Sequence, residues 1–142
     1  MRKIACVAGI ARRQSNVNSV TRLLLVARPG PLADGLLGLL ARIPGVEIVG
    51  PVDDLPSVLL AMSQLGPATL VIDSGPFGEQ VSAVVKQLGI ECPGSRCIVL
   101  ADDVYQQRAV QRAGADAALL KGCPPAELVA TVRGLLVAGP GL

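Results

Sequence analysis

Leu23-Leu-Leu-Val26, stopped by Pro29-Gly30-Pro31, is the stretch on which the fold turns. A continuous apolar run without polar alternation suits a central strand buried on both faces. Directly after it, Leu32, Leu36, Leu40 and Ile43 recur at the spacing of one helix face. Strand followed by amphipathic helix is the unit that the rest of the chain repeats.

Four more short apolar runs follow: Val46-Glu-Ile-Val49, Thr69-Leu-Val-Ile72, Cys97-Ile-Val-Leu100 and Ala117-Ala-Leu-Leu120. Helical spacing returns at Leu55, Val58, Leu59, Met62 and Leu65, and again at Val81, Val84, Val85 and Leu88. A weaker helix runs from about Asp102 to Ala113, where Asp102 or Asp103 can cap it. The last helix carries Leu128, Val132, Leu135 and Leu136 and is opened by Pro124 or Pro125. Five strands alternating with five helices predict an α/β fold, a doubly wound parallel sheet with helices on both faces. Right-handed crossovers then favour the flavodoxin-like (βα)5 order 2-1-3-4-5, whose site lies at the carboxyl ends of the strands.

Composition agrees with this. Hydrophobic residues make up 51% of the 142 residues, with Tyr105 and Phe77 as the aromatics, so the core is aliphatic. Stacking platforms for single-stranded nucleic acid are lacking for the same reason, and no direct DNA binding is expected. Arg2, Lys3, Arg12, Arg13 and Arg22 precede residue 23 without an acidic neighbour, whereas eight basic and eleven acidic residues follow. Residues 1–20 therefore read as a flexible basic extension, 21–138 as the folded domain and 139–142 as a C-terminal tail or the start of a linker. The extension, without a periodic apolar face, is expected to be dispensable for folding.

Cys6, Cys92, Cys97 and Cys123 are scattered and the chain has no histidine, so zinc-ligand spacing is missing. The apolar run from Ile4 to Ala11 is at the short end for a secretion signal. No stretch reaches the roughly 18 apolar residues that span a bilayer. A cytoplasmic protein without a membrane partner is expected. Gly-rich phosphate loops do not follow any strand, which leaves nucleotide binding unsupported.

The residues at the strand ends carry the rest of the reading. Ala27 and Arg28 follow the first run, Asp73 and Ser74 the third, Ala101 and Asp102 the fourth, and Lys121 the fifth. Taken singly, Asp73 is a turn-starting residue beside Gly75-Pro76, and Lys121 is a strand-end cation. Their joint spacing says more. Arg22-Leu-Leu-Leu-Val26, Gly45-Val-Glu-Ile-Val-Gly50, Leu70-Val-Ile-Asp73, Cys97-Ile-Val-Leu100, Arg112-Ala-Gly-Ala-Asp-Ala-Ala-Leu-Leu-Lys121 and Pro125-Ala-Glu-Leu-Val-Ala-Thr-Val together resemble the response-regulator receiver domains of two-component signalling. The similarity is to the branch that carries helix-turn-helix output domains, and it extends over roughly four fifths of the chain, from about Arg22 to Leu136.

The resemblance implies that Asp73 matches the phosphoacceptor and Lys121 the lysine that contacts the phosphoryl group. The sequence departs from the family at four positions. Ala27 and Arg28 stand where an acidic pair holds Mg²⁺, Ala101 where a Thr or Ser follows the phosphoryl group, and Ala118 where an aromatic ring reorients. Because Mg²⁺ takes oxygen ligands, usually including one or two carboxylates, its binding is expected to be lost. Arg28 is expected to pair with Asp73 and stand in for the ion.

Two functions remain. One is a non-enzymatic pseudo-receiver, a phosphorylation-independent interaction module whose partner is another protein or a second copy, as in a homodimer. The alternative is a working phosphoacceptor in a phosphorelay, charged at Asp73 by a histidine kinase. A small-molecule sensor using the space of the missing metal is the third reading. By analogy with receivers, the partner surface is expected on the fourth helix, fifth strand and fifth helix, with Tyr105, Arg108, Arg112 and Arg133.

Overall fold

In the computed structural model, residues 21–138 are described. Residues 1–20 and 139–142, read from sequence as an extension and a tail, lie outside them. The elements in chain order are β1 (Thr21–Val26), α1 (Pro31–Leu40), β2 (Val46–Val52), α2 (Leu55–Leu65), β3 (Thr69–Asp73), α3 (Val81–Glu91), β4 (Arg96–Ala101), α4 (Val104–Ala113), β5 (Ala117–Leu120) and α5 (Pro125–Ala138). The five strands form one parallel sheet in the order β2-β1-β3-β4-β5, as the sequence predicts.

β1 shows why an unbroken apolar run is needed. Leu24 and Val26 face one layer, with the buried residues of α2, α3 and α4; Leu23 and Leu25 face the other, with those of α1 and α5. All four are fully buried. Burying each such side chain is worth about 1.5–3 kcal/mol, so alternate residues of one strand hold both layers.

Local chemistry sets the helix ends. Asp54 caps α2 by accepting from the Ser57 N–H at 2.7 Å, and Asp103 caps α4 by accepting from the Gln106 N–H at 2.8 Å. α4 terminates at Gly114 with φ of 114°, the left-handed conformation that glycine adopts without strain. α4 is also the least apolar helix, with Val110 its sole buried residue, in keeping with its weak sequence pattern.

Two expectations are corrected. The sequence ends the second strand at Val49, but pairing continues through Gly50-Pro51, with Val26 opposite Val52 and the Ala27 N–H donating to the Val52 carbonyl at 2.8 Å. Gly50, with φ of 118°, makes the register shift there. A Cβ on it would stand 2.5 Å from the Leu25 carbonyl oxygen. The apolar stripe of α1 is also not uniformly covered. Leu36 and Leu40 are buried, but Leu32 remains 49% exposed, at the groove between α1 and α5.

Candidate functional site

Parallel strands bring their carboxyl ends to one edge, and register decides which residues meet there. Asp73 ends β3 opposite Leu100, and Ala101 ends β4 opposite Leu120. Backbone bonds fix the loops beyond: Ser74 N–H donates to the Leu100 carbonyl at 3.1 Å and Lys121 N–H to the Ala101 carbonyl at 2.9 Å. Asp73 and Lys121, 48 positions apart in the sequence, thereby face each other.

Lys121 Nζ lies 3.0 Å from Asp73 Oδ1 and 2.6 Å from Asp102 Oδ1. The Asp73 side chain is 7% exposed and that of Asp102 is 52% exposed, so the ammonium joins a buried carboxylate to a surface one. The contact with Asp73 is an ion pair without good hydrogen-bond alignment, which leaves Oδ1 and the neighbouring buried Ser74 hydroxyl without a hydrogen-bond partner in the described structure. Partial burial pulls the Lys121 ammonium down, but the contact with Asp102 and the carboxylate charges of Asp73 and Asp102 outweigh it, and its pKa stands above that of an ordinary lysine.

Gly75 walls the same carboxylate. A side chain there would bring a carbon to 2.9 Å of Asp73 Oδ2, so this close approach requires glycine.

The expected Arg28–Asp73 pair does not form. Arg28 is exposed beyond β1, and the cation at Asp73 is Lys121. The chain leaves β1 directly into Pro29-Gly30, while the Lys121 backbone is fixed beyond β5 by its bond to the Ala101 carbonyl, beside the end of β3.

Asp102 and Asp103, taken together from sequence as capping residues, divide the work. Asp103 caps α4, whereas Asp102 holds Lys121. Gln106 orders this corner: its Oε1 accepts from the Asp102 N–H at 2.7 Å and its Nε2 donates to the Gly78 carbonyl at 3.3 Å. The loops after β3 and β4 are thus tied together through one amide. Its spacing from Asp102 was the only signal available, and a single glutamine on a helix carries no distinct pattern.

Ala27 and Ala101 are fully buried and Ala118 nearly so. Beside them, Gln107 Nε2 donates to the Ala118 carbonyl at 2.8 Å, joining α4 to β5. The four residues expected as an interaction face are all exposed, three on α4 and one on α5. Tyr105 is 82% exposed at the start of α4 and Arg108 is exposed on the same helix. Arg112 lines a depression with Ser82 and Lys86 of α3, whereas Arg133 lines one with Leu39 and Arg42, on the side of α1.

Cys123 is half-buried, and burial followed by the charge of Glu127 raises its thiol, so Lys121 does not activate it. Cys97 is pushed up to about 12 by burial and by Asp116. Neither is a poised nucleophile at neutral pH.

Comparison with solved structures places this arrangement. A LuxR-family two-component response regulator from Aurantimonas sp. SI85-9A1 superposes with a TM-score of 0.73 at 22% identity, covering 84% of this chain and 87% of that one. The signal receiver domain of the response regulator NarL from Mycobacterium tuberculosis gives 0.70 at 21% identity, over 82% and 96%. The response regulator domain of Thermotoga maritima CheB gives 0.69 at 18% identity, over 81% and 95%. The chain has the receiver fold. No protein-family model and no curated protein sequence matches it.

On the receiver fold, the residues present can be tested against a magnesium ion. Among the described residues no group of three His, Cys, Asp or Glu side chains is placed to hold a metal. At this edge Asp73 is already held by Lys121, and Asp102 is turned to the same ammonium. An ion that demands near-octahedral oxygen coordination does not fit this donor set. No described helix is long and apolar enough to cross a membrane.

Proposed function

We propose that this receiver fold serves in signalling as a phosphorylation-independent protein-interaction module. The observation that carries the reading is the Lys121 clamp. The aspartate at the phosphoacceptor position is buried and held by a lysine that Asp102 secures from the other side. Phosphoryl transfer depends on positioning and on neutralising charge, and a divalent ion normally does much of the latter. Ala27 and Arg28 supply no carboxylate to recruit one.

The relay also lacks its moving parts. Ala101 has no hydroxyl to follow a phosphoryl group and Ala118 no ring to turn. Gln107 and Gln106 instead bond α4 to β5 and to the loop after β3, which supports a surface presented in one arrangement. Val104 and Tyr105, both exposed at the start of α4, give that surface an apolar and aromatic element of the kind enriched at interface centres. The partner is a protein or a second copy of the chain.

The second reading, a phosphoacceptor served by a histidine kinase, is favoured by one feature: Asp73 and Lys121 do face each other, with a glycine at the position closest to Oδ2. Incubation of the purified protein with a small acyl-phosphate donor at millimolar Mg²⁺, followed by intact mass, separates the two. No adduct at Asp73, and no Mg²⁺ binding beyond that of Asp73→Asn, is expected. Efficient Mg²⁺-dependent labelling of Asp73 establishes the second reading instead.

A further inference from the structure

Running from the strand-end edge at Lys121, a groove of about 590 Å³ lies between α1 and α5, within the range of small-molecule sites. Its walls are apolar, with Leu32, Leu36 and Leu39 from α1 and Leu128 from α5. Two glycines, Gly35 and Gly38, line it from the middle of α1, and a Cβ at either would have no atom within 4 Å. Glycine costs a helix interior about 1 kcal/mol relative to alanine. Here no close approach requires it, and the effect of both is to keep the groove open. The half-exposed Leu32 is the uncovered member of the same apolar stripe.

The polar groups on this lining are unevenly placed. Lys121 at the upper end is already held by two carboxylates. Asp34, the lining carboxylate, lies in the first turn of α1. At the lower end Arg42 is shared with an adjoining depression of about 360 Å³, which Arg133 also lines. Neither arginine pairs with a carboxylate among the described residues. One end of the apolar channel thus carries the Arg42 guanidinium, with Arg133 in the depression that adjoins it, and the opposite end a carboxylate that would repel an anion. From Leu32 to the end of α1 at Leu40 is about 12 Å along the helix axis, and Arg42 stands just beyond, a span within the reach of a medium-length alkyl chain.

We propose that the groove between α1 and α5 binds a free monocarboxylic acid with an apolar chain. The carboxylate sits on Arg42 and Arg133, and the chain lies along Leu39, Leu36 and Leu32. Guanidinium forks suit a carboxylate through paired charge-assisted bonds, and the placement of Asp34 fixes the direction of the chain. The groove meets the Asp73 edge at Lys121, but the proposed carboxylate contacts lie at its other end, and the inference does not depend on the interaction reading.

Dodecanoate, kept below its micelle concentration, is the probe, with calorimetry as one readout and alkylation of Cys123, which lines the groove, followed by peptide mass, as the other. Saturable binding, slowed alkylation of Cys123, and at least tenfold weaker binding of dodecanol are expected. Arg42→Gln/Arg133→Gln and the filled groove of Gly35→Leu/Gly38→Leu should each weaken dodecanoate at least tenfold. The substituted positions are exposed or open, so these variants keep the fold, which circular dichroism verifies. Equal affinity for dodecanol, unchanged affinity in either double variant, or unaffected alkylation overturns the proposal. Binding to anionic phospholipid vesicles without binding of the free acid overturns it in favour of a membrane surface. Self-association abolished by Gly35→Leu/Gly38→Leu, without dodecanoate binding, assigns the groove to a second copy.

Discussion

Lys121→Met tests the clamp directly, because it removes one cation from two carboxylates in different surroundings. The Asp102 half is a surface contact, and such pairs contribute about 0–1 kcal/mol. The Asp73 half differs, since that side chain is 7% exposed. Removing one partner of a buried pair costs about 3–5 kcal/mol, because the remaining charge is stranded. Lys121 is itself 31% exposed, so water screens the pair and the figure falls to roughly 2 kcal/mol for the whole substitution. For a domain of this size that is about 8 °C in the thermal midpoint. Asp102→Asn should cost less than about 1 kcal/mol. Asp73→Asn/Lys121→Met should lie nearer the wild type than Lys121→Met, since a neutral amide replaces the stranded carboxylate. Chemical denaturation of these four proteins and of Asp73→Asn at pH 7 measures all of these. If Lys121→Met costs no more than Asp102→Asn, or if the double variant is simply additive, Asp73 is not held by Lys121 and the carrying observation of the proposed function is lost.

The pH dependence of the same pair has a definite sign: Lys121 is raised above its ordinary value of 10.5 in the folded protein, so its stabilisation is full below that pH and is lost as pH rises through the folded value. The stability gap between wild type and Lys121→Met should accordingly narrow above about pH 10.5 in thermal melts. Gly50→Ala places a carbon 2.5 Å from the Leu25 carbonyl oxygen at a positive φ and should cost at least about 2 kcal/mol in urea titration. Gly38→Ala, with open space and ordinary helical φ, should instead stabilise by about 0.5–1 kcal/mol in the same assay. Tyr105→Ala should leave the thermal midpoint within about 1 °C, since the ring is 82% exposed, while weakening partner binding or self-association measured by sedimentation. Unchanged association in Tyr105→Ala and in Arg112→Glu would remove α4 from the interaction surface.

The amino-acid sequence alone determined the sheet and its helices, because periodicity is a local property. An unbroken run such as Leu23 to Val26 demands cover on both faces, and stripes such as Val81, Val84, Val85 and Leu88 supply it. It also determined that Asp73 and Lys121 would stand at one edge, since parallel strands end together. What it left to the tertiary structure was which charges meet. Arg28 and Lys121 are both cations at strand ends, and only the exit of the chain from β1 and from β5 sends one outward and brings the other to 3.0 Å from Asp73. Asp102 and Asp103 are adjacent and chemically identical, yet the start of α4 makes one a cap and the other a partner of Lys121. Leu32 fits its stripe as well as Leu36 does, and its exposure depends on how closely α5 approaches α1. Pairings of this kind depend on distances between residues far apart in the chain, which a one-dimensional pattern does not contain; burial and backbone register supply them.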